Sequence, residues 1–307
     1  MSLPTISRAI QPFVDDLVLI DGKEDSRGGR KPQKLHFNYQ ARYLGGIQIE
    51  RDYYSFVISK LDKKPIVREK KYFDCSNPFV TSLELEKRLI EIQKNGFFEV
   101  NQLEEMTIAV TGIVDNEGCV ISDAFPQWKG LNGDMFFKSF HSIFTHCETR
   151  FENDANTFAI AEYSERDHRS KNIIGIYLGK GIGVGIIIDG QLFRGAHGKS
   201  GEIGRWNPSF IKSRFTLEDT FQSREPSVKT EILVNLITSL NALFDPDEML
   251  LSSGFIPYSN AIFSLWDNHK YSEDTKLSIS PFGEDEVLIG ALALSASRFL
   301  KKIVGKQ

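Results

Sequence analysis

The sequence is poor in cysteine, has no excess of positive charge and lacks a long apolar run, and each absence closes off a class of protein. Three cysteines occur in 307 residues, Cys75, Cys119 and Cys147, widely spaced and without a CxxC pair. That argues against a disulfide framework and a zinc ribbon, and favours a reducing cytoplasm. The formal net charge is −4, so the overall electrostatic footprint of a nucleic-acid binder is missing and any DNA contact has to be local. The most apolar segment, Ile173 to Ile188, contains Lys180 and several glycines and is too short to span a bilayer. The opening residues do not read as a signal peptide. The expectation is a cytoplasmic protein with no membrane partner.

What is present is a chain of mixed strands and helices, which argues for α/β architecture. Residues 4–11, "PTISRAIQ", place Ile6, Ala9 and Ile10 at helical spacing, and Pro12 then breaks the helix. "LVLI" follows as a short strand, and "RGGRKPQK", Arg27 to Lys34, is the one compact basic linker. As a solvated hinge it needs no function. From Tyr43, "YLGGIQIERDYYSFVISKLDKKPIVREKKYF" reads as two or three strands. "SLELEKRLIEIQKNGFFEV" reads as a helix with Leu85, Leu89, Ile92 and Phe97 on one side. A second strand–turn–strand unit starts at Ile173, so the chain reads as a duplication in which each lobe begins with a hairpin.

Three stretches carry chemistry. "ENDAN" puts Asn153 and Asp154 where a strand runs into a helix, a position at which open α/β sheets bind ligands. An aspartate there can take a proton from a sugar hydroxyl; equally, Asp or Asn opening a helix is a common N-cap. Glu202 in "SGEIG" and Glu218 in "TLEDT" can each accept hydroxyl hydrogen bonds, or lie on the surface without a role. "GKGIGVG", with Gly179, Lys180, Gly181 and Gly183, can cradle a phosphate with backbone amides or form a tight hairpin turn. If Lys180 faces Asp154, it lowers that carboxyl's pKa.

Taken in order, "ENDAN", "GKGIGVGIIIDGQLFRGAHGKSGEIG" and "LFDPDEMLLSSG" resemble the ROK family of bacterial sugar kinases and sugar-responsive repressors over essentially the whole chain. "TISRAI…LVLIDGK…RGGRKPQKLHFN" resembles the recognition-helix end, wing and linker of the family's repressors. The resemblance implies a two-lobed, actin-like ATPase (ribonuclease H-like) fold with sugar between the lobes and a truncated winged-helix remnant at the N-terminus. The implied division is 1–35 for that remnant and linker, 36–152 for a first lobe completed by a C-terminal helix at 290–307, and 153–289 for a second lobe. Asp154 matches the family's catalytic base and Asn153 its sugar-binding neighbour; Glu202 and Glu218 match its sugar-contacting glutamates. Thr5, Ser7 and Arg8 fall at the recognition helix. Arg27 and Arg30 can enter an AT-rich minor groove.

The departures from the family decide the expectation. Where its kinases carry an aspartate and a Gly-Gly-Thr loop for ATP phosphates, this chain has Gln48, Glu50 and Arg51. Side chains then occupy a place meant for backbone, and Glu50 adds like charge beside phosphate. Where many members hold zinc through a histidine and a cysteine-rich run, this chain has Arg205 and "NPSFIKSRFTLED", so no zinc is expected. Arg205 can instead fork onto an acidic or phosphorylated sugar. The leading reading is a sugar-responsive transcriptional regulator, a repressor without kinase activity. It needs no cofactor, binds a monosaccharide or sugar phosphate and operator DNA, and forms a homodimer. An ATP-dependent hexose kinase with Asp154 as base and Mg-ATP as donor is the alternative. A sugar- or partner-binding module with no DNA role is a third.

Overall fold

The computed structural model describes residues 8–23, 33–121, 126–138, 146–166, 170–206, 216–219, 226–267 and 274–305. Two five-stranded mixed sheets carry the molecule. The first contains β3 (Tyr43–Ile49), β4 (Tyr53–Lys60), β5 (Pro65–Tyr72), β6 (Leu103–Val110) and β7 (Glu148–Asn153), in the order β5-β4-β3-β6-β7. The second contains β8 (Ile173–Leu178), β9 (Ile182–Ile188), β10 (Gln191–Leu192), β11 (Glu248–Leu251) and β12 (Lys276–Ile279), in the order β10-β9-β8-β11-β12. The two orders are the same: an antiparallel meander on one side, parallel strands on the other. Central β3 is buried along nearly its whole length, whereas β5, "PIVREKKY", exposes Arg68, Lys70 and Lys71, which suits an edge strand that must not recruit another chain.

Between the sheets lie two helices, α3 (Asp154–Ser164) and α6 (Glu286–Val304), packed on each other. Helix α3 lies on β8 and β9 of the second sheet, and α6 on β3 and β6 of the first. Such close packing needs small residues at the crossing. A Cβ on Gly290 would stand 1.8 Å from the Thr157 carbonyl oxygen. Helix α6 is also stitched to the first sheet by a polar relay: Arg298 donates to Thr107, Thr107 to Ser295, and Ser295 to the Gly45 carbonyl. Each of the two hydroxyls both donates and accepts.

Helix α1 (Pro78–Lys94) is capped by Asn77, whose side chain accepts from the amides of Phe79 and Val80, with Pro78 in the first turn. Its Leu85, Leu89 and Ile92 enter the first core as the sequence pattern predicts. Phe97 does not. The helix ends at Lys94, the chain turns at Asn95–Gly96, and Phe98 is buried in its place while Phe97 is 56% exposed. The remaining described helices are α2 (Gly133–Lys138), α4 (Pro226–Phe244) and α5 (Ser259–Trp266).

At the N-terminal end β1 (Val18–Lys23) and β2 (Gln33–Phe37) form a separate two-stranded antiparallel sheet. Arg8 is exposed in a short helical stretch that passes into a 3-10 turn containing Pro12. Thr5, Ser7, Arg27 and Arg30 lie outside the described residues. Among the described residues no helix is long and apolar enough to cross a membrane.

Replacing Gly290 by alanine forces the helix crossing apart. The expected outcome is a loss of about 3 kcal/mol of stability, read from urea unfolding.

Candidate functional site

A cavity of about 260 Å³ opens where the C-terminal ends of the first sheet meet the loops of the second. Its floor is the β7–α3 junction. Asn153 is the N-cap of α3: its Oδ1 accepts from the Asn156 amide at 3.0 Å and its Nδ2 donates to the Gly112 carbonyl at 2.9 Å. Asp154 is the first helical residue, with Oδ1 accepting from the Ala155 amide at 2.8 Å. Capping and site chemistry, alternatives in the sequence, are thus divided between neighbours. Behind the junction, buried Glu152 accepts from Asn153 N and Asn156 Nδ2 through one oxygen and from Arg194 through the other. Arg194 belongs to the loop after β10, so this ion pair ties the second lobe's loop to the base of the cleft.

Glu50, at the end of β3, stands beside Asp154. It is 3% exposed, and Thr111 places its hydroxyl 3.0 Å from Glu50 Oε1 and 3.0 Å from Asp154 Oδ2. Burial and the facing Glu50 charge push Asp154 up to about 7, against the pull of Thr111. Burial likewise raises Glu50, with Thr111 and Lys180 opposing. Lys180 lines the cavity together with Asp154, and it forms an ion pair with Asp52 on the first hairpin turn. That turn bends at Glu50–Asp52, with the Glu50 amide bonded to the Tyr53 carbonyl, so an exposed carboxylate is nearer to Lys180 than the buried one.

Glu202 and Glu218 enter from the second lobe. Gly201 has φ +83°, and a Cβ there would stand 1.8 Å from the Val184 carbonyl oxygen, so the loop can lie on β9 and present Glu202 only through a glycine. Burial raises the Glu202 carboxyl while Arg205, 3.9 Å away, opposes. Thr216 and Asp219 exchange hydrogen bonds as a capping box, which orients Glu218 between them toward Gly181. Burial raises Glu218 too, with Asp219 adding and Arg205 opposing. Asn153, Asp154, Glu202, Glu218, Arg205, Lys180, Gly181 and Gly183 all line this one cavity, and Gly179 lines a smaller recess beside it. Thr111, Gly112, Arg51 and Tyr177 line it as well. Thr111 follows a buried strand directly, the same signal that marked Asn153.

Tyr177 also borders a second cavity, of about 240 Å³, between Gln48, Tyr53, Ser253 and the start of α6. There Glu286 accepts from the amide and hydroxyl of Ser253, and burial pushes its carboxyl up to about 7. Arg205 reaches the first cavity with a guanidinium, which has no lone pair for a metal. Among the described residues no group of three His, Cys, Asp or Glu side chains is placed to hold one.

Two outcomes follow from the geometry. Unfolded Asp154 ionises near its ordinary value of 3.8, but folded Asp154 near 7. Its buried charge therefore costs nothing below about pH 4 and the full amount above about pH 7. D154N is expected to raise the thermal midpoint relative to the parent at pH 8 and not at pH 4. R194M leaves the Glu152 carboxylate buried without its partner, and unfolding in urea should show a loss of about 3 kcal/mol.

The profile of the ROK family matches residues 44–215. The xylose repressor of Bacillus subtilis (strain 168) is 24% identical over 351 residues, covering 97% of this chain and 89% of that protein. The N-acetyl-D-glucosamine kinase of Vibrio cholerae serotype O1 is 32% identical over 101 residues, 32% of each chain. Among solved structures, a ROK family transcriptional regulator described as a homologue of the E. coli MLC protein superposes with a TM-score of 0.72 at 18% identity, covering 98% of this chain and 90% of that one. With the duplicated sheets and the matched segment together, the chain belongs to the ROK family, with its two-lobed actin-like fold.

Proposed function

We propose that the protein is a sugar-responsive transcriptional regulator that binds a neutral monosaccharide in the cleft and transfers no phosphate. The observation that carries this reading is Glu50. On the turn where the family's kinases offer bare backbone to ATP phosphates, this chain buries a carboxylate beside Asp154. A γ-phosphate brought there meets two carboxyl groups in a poorly solvated pocket, and phosphoryl transfer depends on the opposite kind of electrostatics. The neighbouring cavity carries Glu284, Asp285 and Glu286 together with Arg68 and Lys70, which pair with Asp285 and Glu284, so it presents no surplus of positive charge to a polyphosphate.

The cavity itself suits a polyol. Four carboxyl groups, Glu50, Asp154, Glu202 and Glu218, line it with three cations, Arg51, Lys180 and Arg205. Lys180 is paired with Asp52, Arg205 lies near Glu202, and Arg51 is the remaining cation of the lining. The four carboxyls outnumber the three cations and offer acceptors to hydroxyl donors, which favours a neutral sugar over the sugar phosphate that Arg205 suggested in the sequence. The size of the cavity fits a monosaccharide. Because relatives include xylose repressors, D-xylose is the first candidate.

Sugar held by residues of both lobes biases their relative angle to the extent that it binds one arrangement better. In a homodimer that angle sets the spacing of two DNA-contacting heads, through the segment containing Arg27 and Arg30. No resident cofactor or zinc takes part.

One observation favours the kinase alternative: Asp154 is in place at the head of α3, with a carboxyl near 7, a value suited to a general base. Thermal shift separates the two. D-xylose, D-glucose and their phosphates are tested with and without Mg-ATP. A ligand at a hundred times its Kd stabilises by roughly 2.7 kcal/mol. The expected result is a shift with one neutral aldose, none with Mg-ATP, and loss of the shift in E202A and E218A. A Mg-ATP shift that deepens with sugar, together with ADP release, establishes the kinase instead.

A further inference from the structure

Thr111 is asked to do two things with one hydrogen. Its hydroxyl lies at hydrogen-bond distance from carboxyl oxygens of both Glu50 and Asp154. A threonine hydroxyl donates once and otherwise accepts. Both contacts are hydrogen bonds only if one of the two carboxyls carries a proton of its own and gives it to Thr111. With both carboxyls ionised, one 3.0 Å contact becomes a lone pair against an anion, in a pocket where Asp154 is 8% exposed and Glu50 less. Two carboxyls crowded around one bridging atom hold a proton between them, and the proton belongs to the pair.

A second observation concerns what the pair leaves over. Asp154 has both oxygens engaged, one by the Ala155 amide and one by Thr111. Glu50 has one engaged by Thr111; the Gln48 side chain lies close enough to favour its charged form but donates its amide to the Tyr53 hydroxyl, and Glu50 Oε2 is buried with no hydrogen bond of its own among the described residues. A buried carboxyl oxygen without a donor is costly, and Glu50 lines the cavity proposed for the sugar. A hydroxyl of a bound polyol is the donor it lacks.

We infer that Glu50 is a ligand-binding residue of the cleft, sharing one proton with Asp154 through Thr111 and accepting a hydroxyl of a neutral polyol at Oε2. The inference rests on the reading of the cleft as a monosaccharide site. It gives the residue that blocks phosphate a positive task, and it couples sugar binding to a proton.

The direction of the coupling follows from the surroundings. Groups facing the pair are Asp52 and Tyr53 from the first hairpin turn and β4, Lys180 from the second, Tyr177 from β8 and Glu202 from the second-lobe loop. Arg51 lines the same cavity. Lys180 favours ionisation of Glu50, and Asp52 and Glu202 oppose ionisation of their neighbours. A seated sugar displaces water from the pair, and a doubly ionised pair loses most by that. The complex therefore keeps the shared proton to higher pH than the free protein does, and affinity falls as pH rises above about 7.

The test uses calorimetric titration of the whole protein with D-xylose and D-glucose from about pH 6 to about pH 9. The expected Kd rises above neutrality with a slope approaching tenfold per pH unit, the limit for one proton. E50Q flattens that rise, and E50A weakens binding by about tenfold or more at every pH. T111S, which keeps the hydroxyl, retains the profile, and T111V abolishes it. Carbon-13 titration of the side-chain carboxyls in the sugar-free protein reads the proton independently, with the Glu50 and Asp154 signals moving together near neutral pH. If both carboxyls are already ionised at about pH 6, or if binding is flat with pH and indifferent to E50Q and E50A, the inference is overturned while the sugar site stands. If neither aldose binds at any pH, the reading of the cleft falls, and the ligand role of Glu50 falls with it.

Discussion

The hydrogen bond from the Asn156 amide to Asn153 Oδ1 fixes the residue at which strand β7 becomes helix α3. A helix start leaves several amides without partners, and a cap satisfies them while setting the direction in which the helix departs. Here that direction takes the chain out of the first sheet and lays α3 on the second. Asp154, the next residue, is thereby held at the mouth with its backbone already helical. The Gly112 carbonyl on Asn153 Nδ2 and the Glu152–Arg194 pair brace the junction from two sides. Without that corner there is no cleft, only two sheets.

The electrostatics of the cleft follow from the same corner. A carboxyl at a helix start is normally favoured in its charged form by the amides around it. Asp154 runs against this because burial and Glu50 outweigh the Ala155 amide and Thr111. Glu202 and Glu218 are raised as well, each chiefly by burial. A site lined by several carboxyls offers acceptors for hydroxyl donors and little positive charge for a phosphate.

Much of this was legible in the sequence because it is local. Period-two alternation marked the hairpins at Tyr43 and Ile173, their repetition marked the duplication, and the strand-to-helix change at "ENDAN" marked the corner. The second-lobe glutamates were legible only through family resemblance, since a glutamate on a loop has no local signature. The Lys180–Asp52 pair was not legible because Asp52 lies 128 positions away and nothing in either neighbourhood names the other. Phe97 was misplaced for a different reason: helical spacing continued past Asn95–Gly96, but the backbone did not. Thr111 was missed although its position obeyed the rule used for Asn153. The shared hydroxyl depends on three strand and helix ends meeting, which no single stretch encodes.

Helix α3 starts from a strand of the first sheet yet lies against the second, so Asn153 and Asp154 stand at the fulcrum between two arms. A group held at a fulcrum moves little when the arms swing. Contacts there contribute affinity almost equally to every arm angle, and equal affinity shifts no equilibrium. Glu50, bridged to Asp154 by the Thr111 hydroxyl, shares the fulcrum, and leverage belongs to contacts farther out, Glu202 and Glu218 on the second-lobe loops. In the proposed sugar site, tight binding and strong response would then be separable. A small polyol that reaches only the fulcrum would occupy the site and leave the arms where they were, an antagonist by geometry alone.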